Sequence, residues 1–148
     1  ISAMHAFVLR PGKNLKKYGE WAVVTGATDG IGEAIAFELA SKGLNVLLLS
    51  RTEAKLVETE RSILAKYPKI AAAHLAVDFS KFDAKAQAAV KAALEGKAVG
   101  VLVNNVGMSY PYCQYFHELK QGDVDGMVEL NVNSTSRMTY LVLPGMVG

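Results

Sequence analysis

Four short apolar runs recur along the chain at a nearly constant interval, and they constrain the fold more than any other feature. They end at about Thr25, Ser50, Val77 and Val103, so that successive ends are 25, 27 and 26 residues apart. None of the runs alternates apolar with polar side chains, which is typical of strands buried on both faces of a parallel sheet. The runs occupy residues 21–25, 44–49, 74–77 and 99–103. The sequence therefore predicts four parallel strands.

Helical patterns fill the intervals between these runs. Ile31, Ile35 and Leu39 recur every four residues and predict the inward face of one helix. Further helices are predicted over residues 52–66 and 83–94, and from about Asp123 through Leu141. Strands that alternate with helices predict βαβ units, and hence an α/β fold with a doubly wound parallel sheet. We expect one domain over residues 21–148, preceded by an arm over residues 1–20.

The composition excludes several classes of function. Apolar residues make up 51% of the chain and charged residues 20%, which suits a packed core and argues against disorder. The 16 basic and 14 acidic residues leave a net charge of +2, too small for a nucleic-acid surface. Cys113 is the single cysteine, which excludes an intrachain disulfide and a cysteine-based zinc site. His74 and His117 have no metal-ligand partner at a useful spacing, so we expect no metal.

A glycine-rich turn over residues 25–32 joins the first predicted strand to the first predicted helix. Gly26 allows a tight turn, Gly30 lets the backbone approach a diphosphate, and Gly32 permits close packing of helix on strand. The helix N-terminus adds N–H groups and the positive end of its dipole. A chance glycine cluster is the alternative, but the position between strand and helix favours nucleotide binding. The candidate contacts in this turn are Gly26, Thr28, Asp29, Gly30, Ile31 and Gly32.

With its Gly-x-x-x-Gly-x-Gly spacing after Thr25, the sequence resembles the short-chain dehydrogenase/reductase family. A second motif of that family, Asn-Asn-x-Gly after the fourth strand, matches residues 104–107. The family's helix asparagine matches Asn131, thirteen residues before Pro144. The resemblance spans residues 21–148 and implies a Rossmann domain, here its first four strands in the order 3-2-1-4.

The end of the second strand predicts which dinucleotide binds. An acid about 20 residues after the glycine turn would bond the ribose of NAD, but Ser50 and Arg51 stand there. A guanidinium can pair with a 2′-phosphate through two hydrogen bonds, so the sequence favours NADP(H) with Arg51 as a contact. The alternative is a solvated Arg51 with Glu53 on the ribose, although Glu53 lies a turn into the helix.

The resemblance implies further cofactor contacts at the ends of the third and fourth strands. Asp78 matches the family's acceptor for the adenine edge, with Phe79 beside it, although Asp78 could instead cap the following turn. Contacts to the ribose on the nicotinamide side are implied for Asn105, Val106 and Gly107. Asn104 is expected to brace the sheet by bonding neighbouring strands.

Of the residues that make up the predicted catalytic apparatus, one can be identified in this sequence. Hydride transfer to a carbonyl needs a proton donor for the developing alkoxide. The family uses a serine with a Tyr-x-x-x-Lys pair, and an asparagine that helps to hold a relay water. Asn131 matches that asparagine, whereas no tyrosine among these 148 residues has a lysine four positions later. Asn131 could instead belong to a polar patch, residues 131–135, that bends a helix.

The loop after the fourth predicted strand, residues 109–116, is rich in aromatic side chains. Ligands bind at the carboxyl ends of strands in doubly wound folds, so these side chains could line an acyl or steroid site. They could equally pack against other parts of the protein. The residues concerned are Tyr110, Tyr112, Tyr115 and Phe116.

Shorter segments, residues 105–112 and 141–146 among them, resemble one branch of the family: the membrane-bound very-long-chain 3-oxoacyl-CoA reductases, which include 17-beta-hydroxysteroid dehydrogenases. The resemblance implies an NADPH-dependent ketone reductase acting on a 3-oxoacyl-CoA in fatty-acid elongation or, alternatively, on a 17-ketosteroid. Alternatives of other classes are a non-catalytic NADP-binding protein and, less well matched, a methyltransferase. The branch also implies the cytosolic face of the endoplasmic reticulum membrane and, in the complete protein, a homo-oligomer.

The chain begins at Ile1 and stops within an apolar run, so we expect a piece of a longer protein. A membrane anchor before residue 1 would suit the basic residues that precede the first strand. Without a Tyr-x-x-x-Lys pair, the chain by itself is expected to bind NADP(H) weakly if at all and not to reduce ketones.

Overall fold

A computed structural model describes residues 13–147, so that residues 1–12 of the predicted arm lie outside the described part. A parallel sheet forms the centre, with its strands in the order β3-β2-β1-β4. The strands are β1 (Trp21–Thr25), β2 (Asn45–Ser50), β3 (Ala72–Ala76) and β4 (Val99–Val103). The predicted fold class and strand order are confirmed, and the third strand begins two residues earlier than its apolar run.

The α-helices within the described residues are α1 (Gly30–Ser41), α2 (Glu53–Lys66), α3 (Ala84–Leu94), α4 (Gln121–Val128) and α5 (Ser134–Val147). Thr52 and Asp83, which the sequence placed inside helices, are the N-cap residues of α2 and α3. The Asp83 side chain accepts a hydrogen bond from the Ala86 N–H at 2.8 Å, which satisfies one of the amides that a helix start leaves without a partner. The predicted fourth helix is interrupted by a π-helical turn, Glu129–Asn133, between α4 and α5.

Two apolar clusters cover the two faces of the sheet, as a doubly wound arrangement requires. Successive residues of a strand point to opposite faces, and β1 shows this directly. Ala22 and Val24 belong to the cluster that contains Leu39, Leu56 and Ile63 of the helices on one face. Val23 belongs to the other cluster, whose helical members include Val90, Met138 and Val142.

The inward face of α1 includes Leu39 and Ile35, as predicted, but not Ile31. Ile31 is 72% exposed and therefore does not belong to the core, contrary to the four-residue pattern. The buried residues of the helix are Gly32, Ala36, Leu39 and Ala40. Three of these four side chains are small or absent, so the helix lies close to the sheet, and the larger Ile31 is turned out to the surface. A search for large apolar residues alone overlooks such a face.

None of the helices in the described part of the chain is both long enough and apolar enough to cross a lipid bilayer.

Candidate cofactor-binding site

The carboxyl ends of the four strands lie at one edge of the sheet, where they border a cavity of about 670 Å³. That volume lies within the range of small-molecule and cofactor pockets. The lining comprises Gly26, Thr28, Asp29, Ser50, Arg51, Thr52, Lys55, Asp78, Phe79, Ser80, Asn105, Val106, Gly107, Met108 and Leu130. The cavity thus brings together nine of the predicted cofactor contacts from four separate segments. The predicted site residues that do not line it are Gly30, Ile31, Gly32 and Asn131.

The glycine turn between β1 and α1 has a left-handed backbone at two positions. Gly26 has a φ of 64° and Gly30 a φ of 53°, which residues with a side chain rarely adopt. The Gly26 N–H donates to the Leu49 carbonyl at 2.7 Å and so ties the turn to the end of β2. A Cβ on Gly32 would lie 2.1 Å from the Gly26 carbonyl oxygen, so α1 can approach the turn only because residue 32 has no side chain.

The N-terminus of α1 is free of side-chain capping. Asp29 occupies the N-cap position, and its carboxylate makes no capping hydrogen bond. Instead, Asp29 Oδ2 lies 3.5 Å from the ammonium of Lys55, which reaches across from α2. The first amides of a helix lack intrahelical partners, so those of α1 can donate to an anionic ligand.

Thr25 links the first and fourth strands, a role that the sequence analysis did not assign. Its buried hydroxyl accepts hydrogen bonds from the N–H groups of Asn105 at 2.9 Å and Val106 at 3.1 Å, and donates to the Val103 carbonyl at 3.3 Å. The Asn105 Nδ2 donates to the Gly26 carbonyl at 3.2 Å. These bonds attach the segment after β4 to the glycine turn. A threonine as the last residue of β1, directly before the glycines, was the available signal.

The two asparagines after β4 have different tasks from those expected. Asn104 was predicted to brace neighbouring strands, but its Nδ2 donates to the Thr139 hydroxyl of α5 at 3.1 Å. The bracing bonds come from Asn105, the next residue along the chain. Side chains alternate in direction along an extended segment, so the bracing role falls to the next residue, which also lines the cavity as predicted.

The end of β2 presents hydroxyl and cationic groups to the cavity. The hydroxyls of Thr28 and Ser50 are 2.8 Å apart and share a hydrogen bond, and Arg51 follows Ser50 on the cavity wall. Glu53, the alternative ribose ligand, does not line the cavity. Its Oε1 lies 2.8 Å from His74 Nε2 on β3, and the other ring nitrogen of His74 bonds Glu60. The one acid near the end of β2 is therefore engaged on the outer edge of the sheet.

Asp78 follows β3 and caps the 3₁₀ turn Phe79–Lys81, as the alternative interpretation proposed. Its Oδ1 accepts from the Ser80 N–H at 3.0 Å and from the Ser80 hydroxyl at 2.7 Å. The hydroxyl hydrogen bond is the main cause that lowers the pKa of Asp78, and the positive charges of Arg51 and Lys81 lower that pKa further. Asp78 also lines the cavity, so capping and a contact to a ligand are compatible.

The side chain of Phe79 belongs to the core. Phe79 is 1% exposed, and its ring lies 5.0 Å from that of Phe82. A contact between Phe79 and a ligand in the cavity would therefore use mainly its backbone.

Asn131 lies in the π-helical turn and bonds the backbone of Met108 on both sides. Its Oδ1 accepts from the Met108 N–H at 2.9 Å, and its Nδ2 donates to the Met108 carbonyl at 2.9 Å. Met108 lines the cavity and Asn131 does not, so Asn131 holds a lining residue in place without bordering the cavity itself. An amide oxygen has a second lone pair and an amide nitrogen a second hydrogen, which leaves capacity for a further partner. The proposed relay role of Asn131 stays a prediction.

The aromatic loop after β4 faces solvent. Tyr112, Tyr115 and Phe116 are 68%, 74% and 74% exposed, respectively. None of them borders the cavity, so neither of the two interpretations of this loop is tested. Residues 13–147 contain no group of three or more His, Cys, Asp or Glu side chains that could hold a metal ion.

Comparison with known proteins places these features in a family. The family model for short chain dehydrogenases matches residues 20–148. Inactive hydroxysteroid dehydrogenase-like protein 1 of Homo sapiens is 47% identical over 133 residues, which cover 90% of this chain and 40% of that protein. The very-long-chain 3-oxoacyl-CoA reductase of Mus musculus is also 47% identical over 133 residues, which cover 88% of this chain and 42% of that protein. The chain therefore spans about 40% of the length of these curated relatives.

Solved structures share the architecture. The crystal structure of L-sorbose reductase from Gluconobacter frateurii, in complex with NADPH and L-sorbose, matches with a TM-score of 0.78 at 28% sequence identity. The match covers 90% of this chain and 50% of the reductase chain.

Proposed function

The chain belongs to the short-chain dehydrogenase family, and on this premise we propose that it is the NADPH-binding part of a ketone reductase. The observation that carries the proposal is the cavity at the strand ends, where Arg51 occupies the position at which an NAD enzyme would have an acid. The pairing of Glu53 with His74 supports the choice of NADPH, because it removes the alternative ribose ligand from the cavity.

The residues present fit a phosphorylated dinucleotide. The glycine turn and the uncapped start of α1 suit the diphosphate, and a Cβ on Gly30 would meet no atom within 4 Å, so the turn leaves open space beside it. Arg51 suits the 2′-phosphate, Asp78 and the Phe79 backbone suit the adenine, and residues 105–107 suit the nicotinamide-side ribose.

In this proposal the cofactor supplies a hydride, and the chain's own residues hold and orient it. Reduction of a carbonyl to an alcohol would require this hydride and one proton. Asn131 contributes by fixing Met108 at the cavity wall and, with its remaining hydrogen-bond capacity, by holding a water of the proton relay.

The proposed substrate is a 3-oxoacyl-CoA, reduced to the 3-hydroxyacyl-CoA in fatty-acid elongation. A relative with 47% identity is a very-long-chain 3-oxoacyl-CoA reductase, which supports this substrate class. A 17-ketosteroid is the alternative, favoured by relatives whose names refer to hydroxysteroids. The proposal includes the cytosolic face of the endoplasmic reticulum membrane as the location and a homo-oligomer as the assembly of the complete protein.

A non-catalytic NADP-binding protein is the second candidate. A relative that is equally similar, at 47% identity, carries the word inactive in its name. Both candidates require the same cofactor cavity, so they differ only in whether a ketone is reduced.

Arg51→Ala tests the cofactor assignment. A hydrogen bond to a charged group contributes about 1.5–3 kcal/mol, so NADPH binding should weaken by roughly ten- to a hundredfold while NADH binding changes little. The measurement is calorimetric titration of the complete gene product with each cofactor. Arg61→Ala is the control, because Arg61 is an exposed arginine on α2 that does not line the cavity. Equal weakening of NADPH and NADH by Arg51→Ala would contradict the assignment.

The substrate is tested with the complete gene product, since this chain spans about 40% of its curated relatives. NADPH oxidation is followed with a long-chain 3-oxoacyl-CoA and with a 17-ketosteroid. Turnover of the acyl-CoA supports the first proposal, and turnover of the steroid alone replaces it with the alternative. Binding of NADPH without turnover of either substrate identifies the non-catalytic candidate.

A further inference from the structure

The charged groups that line the cavity are two cations, Arg51 and Lys55, and two carboxylates, Asp29 and Asp78. Lys55 Nζ lies 3.5 Å from Asp29 Oδ2, and Arg51 acts on Asp78, whose pKa is lowered first by the Ser80 hydroxyl and then also by the Arg51 charge. The formal charge of this lining therefore sums to zero.

A 2′-phosphate needs more positive charge than Arg51 provides alone. A phosphate monoester carries about −1.5 to −2 charges near neutral pH. Arg51 carries one positive charge, and that charge already helps to lower the pKa of the Asp78 carboxyl. A second cation in the lining would complete the neutralisation, and Lys55, four residues after Arg51, is the remaining cation of the lining.

Lys55 can change partners. Its side chain is 56% exposed and that of Asp29 is 85% exposed, so the pair lies in water, where ion pairs contribute little. A lysine carries its ammonium on a flexible four-carbon stem, which lets it follow a nearby anion. A phosphate dianion attracts that ammonium more strongly than a single carboxylate does.

We infer that Lys55 is the second cation of the 2′-phosphate site, and that its ammonium leaves Asp29 for the phosphate when NADPH binds. The inference rests on the proposed function, because it needs a cofactor that carries this phosphate. Lys55 is then a specificity-determining residue: it acts on NADPH and not on NADH. In the free chain it neutralises Asp29 beside the glycine turn, and NADPH binding exposes that carboxylate.

Lys55→Gln tests the inference by titration of the complete gene product with NADPH and with NADH. Loss of one charged hydrogen bond should weaken NADPH binding by about tenfold and leave NADH binding within about twofold. Lys55→Arg should restore most of the preference for NADPH, because it keeps the charge. Lys42→Gln is the matched control: Lys42 pairs with Glu38 on α1 at 3.0 Å, is 59% exposed, and lies outside the cavity lining. Thermal unfolding of each variant shows whether it is folded.

The outcomes separate the inference from the proposed function. If the unmodified complete protein binds NADPH no better than NADH, both fail. If it prefers NADPH and Lys55→Gln leaves the ratio of the two affinities unchanged, the inference alone fails. Equal weakening of both cofactors also overturns it, because Lys55 would then act on the shared diphosphate. A drop for NADPH alone, absent in Lys42→Gln, supports it.

Discussion

Gly32 is the position where the proposed phosphate-binding turn has least room for a side chain. A Cβ there would lie 2.1 Å from the Gly26 carbonyl oxygen and 2.4 Å from Asn105 Nδ2, which are themselves hydrogen-bonded to each other at 3.2 Å. Two of the three neighbours it would meet are backbone atoms, so the turn, and not a flexible side chain, would have to move. The same hydrogen bond joins the glycine turn to the segment after β4. A change at this one residue therefore disturbs both walls of the cavity.

Gly32→Ala is expected to destabilise the fold by about 1–3 kcal/mol, the usual cost of forcing extra atoms into a packed site. Alanine is a better helix former than glycine by about 1 kcal/mol, which offsets only part of the loss. Chemical denaturation measures the free energy of unfolding, and titration with NADPH measures the affinity of the site for the cofactor.

Gly122→Ala is the control for this change. Gly122 lies in α4, and a Cβ there would meet no atom within 4 Å. The substitution should leave the free energy of unfolding unchanged or raise it slightly. Equal effects of the two substitutions would contradict a steric role for Gly32.

Among the helical elements, the π-helical turn Glu129–Asn133 determines what Asn131 contacts. Ser134 Oγ donates to the Leu130 carbonyl at 2.6 Å inside this stretch, and Arg137 donates to Glu129 at 2.9 Å and to the Phe82 carbonyl at 2.9 Å. These bonds hold the turn against the start of α5 and against the loop before α3. π-helical turns occur frequently at functional sites. Here the turn presents the Asn131 amide to the backbone of Met108.

Asn131→Leu should therefore loosen the segment after β4. Leucine has a similar size but loses both hydrogen bonds to Met108, each of which contributes about 1 kcal/mol. We expect the Met108 amide to exchange its hydrogen about tenfold faster or more, as measured by NMR. Asn133→Leu is the control, because Asn133 bonds Glu129 within its own turn at 2.6 Å. An unchanged exchange rate at Met108 in Asn131→Leu would show that the two bonds do not hold the segment.

At the scale of the whole molecule, two titratable groups beside β3 make the stability depend on pH in opposite directions. His74 lies on β3 between Glu60 and Glu53 of α2, and both ring nitrogens face carboxylate oxygens. The hydrogen bond to Glu60, followed by that to Glu53, raises the pKa of His74 above its ordinary value of 6.5 in spite of partial burial. The hydrogen bond from Ser80 lowers the pKa of Asp78 below its ordinary value of 3.8.

The sign of each contribution follows from linkage. A histidine whose pKa is higher in the folded state stabilises fully below the unfolded pKa, and this stabilisation is lost as the pH rises through the folded pKa. We expect the stability difference between the unmodified chain and His74→Gln to be large below about pH 6.5 and to shrink above it. Asp78→Asn should show the reverse, a difference present above pH 3.8 and lost in acid. Urea unfolding at several pH values measures both.

The double variant Glu53→Gln with Glu60→Gln is the control for His74. It keeps the imidazole but removes the two carboxylates, so the pH dependence assigned to His74 should disappear. Persistence of that dependence in the double variant would contradict the assignment.

Features that depend on a local sequence pattern could be predicted, from single residues to the fold class. The alternation of strands and helices follows from apolar runs at a regular interval, because parallel strands joined by crossovers bury such runs on both faces. The strand order 3-2-1-4 was implied by the resemblance to the family. The glycine turn could be predicted because positions 26 and 30 have a left-handed backbone, which glycine adopts at little cost. The position of Arg51 on the cavity wall could be predicted because Arg51 directly follows the end of β2.

The partners of individual side chains were less predictable. Asn104 bonds Thr139 of α5, and the neighbouring Asn105 holds the glycine turn while also lining the cavity, since one residue of displacement reverses the direction of a side chain. Ile31 proved exposed because the helix approaches the sheet through small residues, which a count of large apolar residues does not detect. Lys55 and Thr25 had no signal of spacing comparable to that of the glycines.

The sequence by itself determined the fold class through its periodicity and the glycine turn through its backbone requirements. Its motifs, by resemblance to the family, also predicted the strand order and the other segments that border the cavity. Only the tertiary structure decided which charged groups pair with each other: Asp29 with Lys55, and His74 with the acids of α2. Such pairs join residues on separate elements. Their distances depend on how helices pack on the sheet and on side-chain rotamers, and neither leaves a periodic trace in the sequence.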